Sequence, residues 1–122
     1  MTTAQRLQIV PSQFMIEHLP NAVFPEDDEW IALVRAPEGL TVIREAPPYA
    51  EVRRWLGLYA VEPHDLDATG MLAALVGPLS DAGIPVFVAS TYHADLVLVP
   101  EHLIAEATAA LKEAGHQVID SA

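Results

Sequence analysis

The residues of this chain whose types could do chemistry gather in two short stretches. One runs Glu62-Pro63-His64-Asp65-Leu66-Asp67-Ala68-Thr69-Gly70, and the other is Ser90-Thr91-Tyr92-His93-Ala94-Asp95. His64-Asp65 and His93-Ala94-Asp95 contain the donors of a metal or proton-transfer pair. Neither has a third ligand nearby in sequence, so loop and cap positions explain them more simply. Ser90, His93 and Asp95 are the residue types of a nucleophilic triad, but within one tight hairpin they lie too close together to line up for a relay. Glu26-Asp27-Asp28-Glu29 lacks the spaced oxygens and glycine turn of a calcium loop. No glycine-rich phosphate loop, paired-histidine helix motif or nucleophile elbow occurs. The chain has no cysteine, which excludes disulfides, thiolate catalysis, iron–sulfur clusters and Cys-zinc sites. The residues read as non-catalytic, with no metal and no cofactor.

Binding chemistry remains. A short carboxylate at Asp65 or Asp67 can accept the free N–H groups of a first helical turn. The start of a helix also offers backbone donors to a ligand carboxylate, and Gly70 permits close approach. Asp95 offers the charge that an ammonium group needs. A zwitterion such as an amino acid is matched at both ends if Asp65, Thr69 and Gly70 lie close to Thr91, Tyr92 and Asp95. From the residues alone the simpler reading stands level with it: Asp65 and Asp67 only cap, and Asp95 only closes its turn.

The elements that must position these residues are legible in the second half. Trp55, Leu56, Leu58, Tyr59 and Val61 make a buried strand, and Gly57 within it implies a bulge or a close approach. Ala68, Met71, Leu72, Leu75, Val76, Leu79 and Ala82 recur at helical spacing, predicting a helix from about Asp67 to Ala82 that Pro78 kinks or splits. Ile84 to Ala89 and Leu96 to Val99 are short β-rich runs joined by the polar stretch at Ser90–Asp95. Pro100 suits the first turn of a second helix, reaching about Ala114. Ala82-Gly83 and Ala114-Gly115 end the two helices with a residue able to turn left-handed. His116 to Asp120 closes as a strand. The order strand, helix, strand, strand, helix, strand predicts a ferredoxin-like (βαββαβ) α+β unit with one antiparallel sheet and both helices on one face of it. Leu72, Leu75, Leu79, Ile84, Phe87, Leu98, Leu103 and Leu111 are its expected core.

The first half echoes the second. With an offset of 56, Trp30 to Glu45 falls on Val86 to Glu101 without a gap, and the hairpin turns through Ala36-Pro37-Glu38-Gly39. The strand from Leu7 to Ile16 then corresponds to the one after Arg54. Too few residues follow the first hairpin for a helix and a strand, so this repeat is truncated. The division expected is 1–52 for the truncated repeat and 53–122 for the complete unit.

In 122 residues, 52% hydrophobic and 19% charged, there is enough apolar material for a core and no signature of disorder. Six Lys and Arg against 17 Asp and Glu give a formal charge of −11, which repels nucleic acid and anionic membranes. No cationic segment followed by an apolar run opens the chain, and no apolar stretch is long enough to span a bilayer. A cytoplasmic protein is expected.

At several of these residues the chain resembles the ACT family of small-molecule sensor domains. It is similar in particular to tandem-ACT proteins of the kind related to the CASTOR arginine sensors, and to aspartate-kinase regulatory domains. The resemblance is carried by Trp55 with Val61-Glu62-Pro63, Asp67 with Thr69-Gly70, Gly77-Pro78-Leu79 with Ala82-Gly83-Ile84, and Phe87 with Ser90-Thr91-Tyr92 through Asp95 and Val97-Leu98-Val99. In the first half, Glu38-Gly39-Leu40-Thr41-Val42-Ile43 resembles the family more loosely, and Arg35-Ala36-Pro37 departs from it. The resemblance implies two ACT-like units side by side and ligand contacts from Asp65, Leu66, Thr69, Gly70, Thr91, Tyr92 and Asp95. It implies a regulatory protein that senses an amino acid or similar metabolite, does no chemistry, and acts on a separate partner. The rival reading is a ligand-free interaction module. Unpaired strand edges in either case predict a homodimer, by sheet extension or helix packing.

Overall fold

Alternating apolar residues with a proline among them shape the longest strand. β1 (Arg6–Leu19) buries Leu7 and Phe14. Pro11, which has no N–H to give a ladder, sits where the register against the neighbouring strand slips between Ile9 and Gln13. The computed structural model describes residues 4–21, 23–27, 30–65 and 69–120. β2 (Trp30–Ala36) and β3 (Gly39–Glu45) form the expected hairpin, with Ala36 opposite Gly39 across Pro37-Glu38. There follow β4 (Trp55–Ala60), α1 (Met71–Asp81), β5 (Phe87–Ser90), β6 (Asp95–Pro100), a 3-10 turn (Glu101–Leu103), α2 (Ile104–Glu113) and β7 (Gln117–Ile119). From β4 onward this is the ACT-like βαββαβ order read from the sequence, in an α+β chain.

The sheet runs β2-β3-β1-β4-β6-β5, with β7 beside the first part of β1. In a lone unit of this order the last strand lies beside the first. Here Arg6, Leu7 and Gln8 take that place: β1 pairs antiparallel with β4 on one side and parallel with β7 on the other. The expected all-antiparallel sheet is corrected at this one pair. The N-terminal strand is thus built into the unit, with Gln117 N–H donating to the Gln5 carbonyl and Val61 N–H to that of Arg6.

Both faces of the sheet carry core. Leu7, Leu58, Ala60, Val97 and Val99 pack with Leu75 and Leu79 of α1 and Ala107 and Leu111 of α2. On the opposite face Phe14, Ile43, Trp55, Leu96 and Leu98 form a second cluster. That explains why β6 is buried at every position and reads as a continuous apolar run rather than an alternating one. Gly57 is the close approach its sequence position implied: a Cβ there would lie 3.0 Å from Leu96 Cδ1 and 3.3 Å from Phe14 Cε2. Of the expected core, Leu75, Leu79, Ile84, Leu98 and Leu111 are buried, while Leu72, Phe87 and Leu103 are half-buried against the clusters.

Three expectations about the helices change. α1 begins at Met71 with Gly70 at its N-cap, and no side chain caps it among the described residues; the cap expected from Asp65 is not made, and Asp67 lies outside those residues. Pro78 stands inside α1 without splitting it. Pro100 closes β6 instead of opening α2, because its place opposite Trp55 completes that ladder and leaves the helix to start after the 3-10 turn. Gly83 and Gly115 do adopt left-handed turns, with φ of 75° and 100°. No described helix is long and apolar enough to cross a membrane.

Candidate functional site

The β5–β6 hairpin is held by its own side chains. Ser90 and Asp95 face each other across the ladder, and Ser90 Oγ donates to Asp95 Oδ1 at 2.7 Å. Thr91 N–H and Oγ1 both donate to the Ala94 carbonyl, at 2.7 and 3.0 Å, and Ala94 N–H donates back to Thr91 Oγ1 at 3.1 Å. With that hydroxyl proton committed, the Tyr59 hydroxyl donates to Thr91 Oγ1 at 2.8 Å, fastening the loop to β4. The segment after β4 is fastened in turn, by His64 N–H to the His93 carbonyl at 2.7 Å. Residues far apart in sequence are thereby brought to one end of the sheet.

Between the hairpin and the start of α1 lies a cleft of about 210 Å³. His64, Gly70, Met71, Leu72, Ala73, Ser90, Thr91, Tyr92 and Asp95 form its walls. Gly70, with φ of 79°, has open space where a Cβ would stand. Tyr92 is 71% exposed and rests edge-on against His93, at 5.0 Å and 75°. Asp95 is only 7% exposed. Its Oδ1 is satisfied by Ser90, but its Oδ2 stands 3.5 Å from His64 Nε2, too far for a good hydrogen bond, and that nitrogen is buried with no hydrogen-bond partner. Both ring nitrogens of His64 face oxygen acceptors, Nδ1 the Asp65 carbonyl at 3.3 Å and Nε2 the Asp95 Oδ2 at 3.5 Å. At that separation neither Nε2 nor Oδ2 is well satisfied by the other. A donor group placed beside Oδ2 in the cleft would supply the hydrogen bond that His64 stands too far away to give.

Of the seven residues proposed from the sequence, Gly70, Thr91, Tyr92 and Asp95 line the cleft. Asp65 and Thr69 are exposed and are not on its wall, and Leu66 lies outside the described residues. The sequence reading left out His64, Ser90, Met71, Leu72 and Ala73 from the site. Ser90 was visible as half of a pair closing a short hairpin. His64 stands out in the sequence only beside Asp65, because its approach to Asp95 spans two elements. The triad letters do not form a triad: Ser90 donates to Asp95 itself rather than to a histidine base. Among the described residues no three metal-ligating side chains gather.

A family model described as an ACT domain matches residues 51–113. No curated protein matches the chain. Among solved structures, a protein from Agrobacterium tumefaciens is similar with a TM-score of 0.84 and 23% identity, over 99% of this chain and 96% of that one. A protein of unknown function from Vibrio cholerae, described as a possible transport protein, gives 0.72 and 24% over 86% of this chain and 85% of that one. Aspartokinase alpha and beta subunits give 0.64 and 15% over 93% of this chain and 98% of that one. At these identities the three structures establish the fold. The first of them spans nearly the whole chain, strand β1 included.

Proposed function

The chain belongs to the ACT domain family, a family of small-molecule-binding regulatory modules, and from that premise we propose that it senses an amino acid or similar small zwitterion in the Asp95 cleft and catalyses nothing. The observation that carries this reading is Asp95: a carboxylate 7% exposed, with Oδ1 held by Ser90 and Oδ2 3.5 Å from His64 Nε2, beyond the reach of a good hydrogen bond. No Lys or Arg lines that cleft among the described residues. An ammonium group would give Oδ2 the donor it lacks. The ligand carboxylate would meet the uncapped start of α1, where backbone N–H groups and the helix dipole favour an anion. A cleft of about 210 Å³ suits a molecule the size of an amino acid. Read this way, a ligand that favours one arrangement of hairpin and helix alters affinity for a separate, regulated protein. A cytoplasmic location agrees with the acidic, cysteine-free composition.

The test is a thermal-shift panel of the common free amino acids, backed by native mass spectrometry after dialysis. A ligand at 100 times its dissociation constant adds about 2.7 kcal/mol, a melting shift on the order of 5 °C for a chain of this size. Asp95→Asn keeps the side chain's shape but removes its charge, and should weaken binding by about 10-fold or more. If no amino acid shifts the wild type, the sensing proposal fails.

We also propose that residues 1–52 are a truncated ACT-like repeat and 53–122 the complete unit. The strand order supports this: hairpin β2–β3 flanks β1 as hairpin β5–β6 flanks β4, so the sheet is symmetric about the β1–β4 pair. The edge of β2 supports the interaction reading and the homodimer, since Ile31 and Val34 are 45% and 56% exposed there. Light scattering is expected to report twice the mass of one chain at micromolar concentrations, persisting in salt. A monomer across that range would remove the dimer.

A further inference from the structure

A proline inside a helix leaves a carbonyl without its partner, because the residue four positions earlier loses the N–H it would accept. In α1 that proline is Pro78 and the orphaned carbonyl belongs to Ala74. The missing donor comes from elsewhere: His116 Nε2 lies 2.8 Å from the Ala74 oxygen. His116 stands in the turn between α2 and β7, is 5% exposed, and is held there by its own N–H to the Leu111 carbonyl at 3.0 Å. Its other ring nitrogen, Nδ1, accepts the Gln5 backbone N–H at 3.0 Å. One nitrogen must accept and the other must donate, so the ring is neutral with its proton on Nε2. Gln5 makes a second attachment to the same turn of α1, its Nε2 donating to the Met71 carbonyl at 2.8 Å.

These contacts lie directly behind the proposed ligand cleft. Gly70, Met71, Leu72 and Ala73 form one wall of it, and Met71 and Ala74 are the two positions gripped from behind. The first turn of α1 begins at a left-handed glycine with no side-chain cap and ends at a carbonyl its own helix cannot satisfy. Its placement therefore depends on Gln5, the residue just before β1, and on the α2–β7 turn. We infer that His116 is a positioning residue for the cleft: its imidazole replaces the N–H that Pro78 lacks and, with Gln5, sets the helix wall against which a ligand binds. This deepens the sensing proposal and rests on it for the ligand, but the grip itself is tested without one. It also gives the inserted strand a task, since a ligand pressing on that wall acts on the β1–β7 end of the sheet.

Pro78→Ala returns an N–H to the Ala74 carbonyl, so the two substitutions answer each other. His116→Ala in the otherwise unchanged chain should speed amide exchange across residues 72–77 of α1 by about 10-fold relative to α2, as local opening rather than global unfolding. In the Pro78→Ala background the same change should have much less effect, and this double variant is the measurement to make if His116→Ala alone does not fold. His116→Gln, which can still donate and accept, should restore most of the protection. Imidazole nitrogen–proton correlations in the wild type should place the proton on Nε2. Equal acceleration in both backgrounds, or acceleration shared evenly by α1 and α2, overturns the inference. Titrating the common free amino acids one at a time supplies the binding arm: His116→Ala should weaken whichever binds by several-fold, and Gln should rescue it. If none binds the wild type, the sensing proposal falls while the exchange measurements still decide this one.

Discussion

Replacing Gly39 with Ala is expected to destabilise the protein by about 2–6 kcal/mol, the sum of a strained backbone and an unavoidable clash. Gly39 opens β3 with φ of 133°, a conformation L side chains rarely adopt. A Cβ there would collide with the Leu19 carbonyl oxygen and lie 2.9 Å from Pro20 Cα. Both are backbone atoms, so no side chain can swing aside. The end of β1 must pass this close because Leu19 pairs with Leu40, the next residue along β3. Urea unfolding at an unchanged slope would read the loss directly. Glu38→Ala, one residue away and exposed, is the control and should fall within about 0.5 kcal/mol of wild type. A Gly39→Ala loss below about 1 kcal/mol would mean that β1 does not run against this hairpin.

Leu75→Ala should cost about 2–5 kcal/mol. Leu75 is 1% exposed in the cluster that joins α1 to α2 and to Leu7, Leu58 and Val97 of the sheet. Removing three carbons there gives up their burial and leaves a cavity that the rigid sheet beneath can only partly close. Ala73→Ser, on the exposed side of the same helix, should be near neutral. Equal small effects at the two positions would mean that the apolar stripe does not face the sheet.

Local pattern was enough for much of this architecture. The spacing of Leu72, Leu75 and Leu79 marks which side of α1 is apolar, since side chains three and four apart share a helical face. Ala82-Gly83 and Ala114-Gly115 mark both helix ends because a left-handed turn suits glycine. The polar stretch at Ser90–Asp95 marks a hairpin, and its short-range partners, Ser90 with Asp95 and Thr91 with Ala94, follow from a tight turn. The candidate cleft was legible to the same extent. Thr91, Tyr92 and Asp95 sit on one loop, and Gly70 precedes a helical pattern that was already visible.

Boundaries were less secure where a residue serves two elements. Pro100 reads locally as a helix opener, yet pairing with Trp55 draws it into β6. Asp65 reads as a cap, yet the helix starts beyond its reach and the N-cap falls to Gly70.

By itself the sequence determined the order of the elements, their apolar faces, their turns and the acidic, cysteine-free surface, because each of these depends on neighbours a few residues away. Tertiary structure alone decided that β1 enters between β4 and β7, that His64 turns to Asp95, and that His116 reaches Ala74 in place of the donor Pro78 lacks. Gln5 and His116 are 111 positions apart and meet within 3.0 Å. Such pairings come from strand register and helix packing summed over the whole sheet. No periodicity within a single segment carries them.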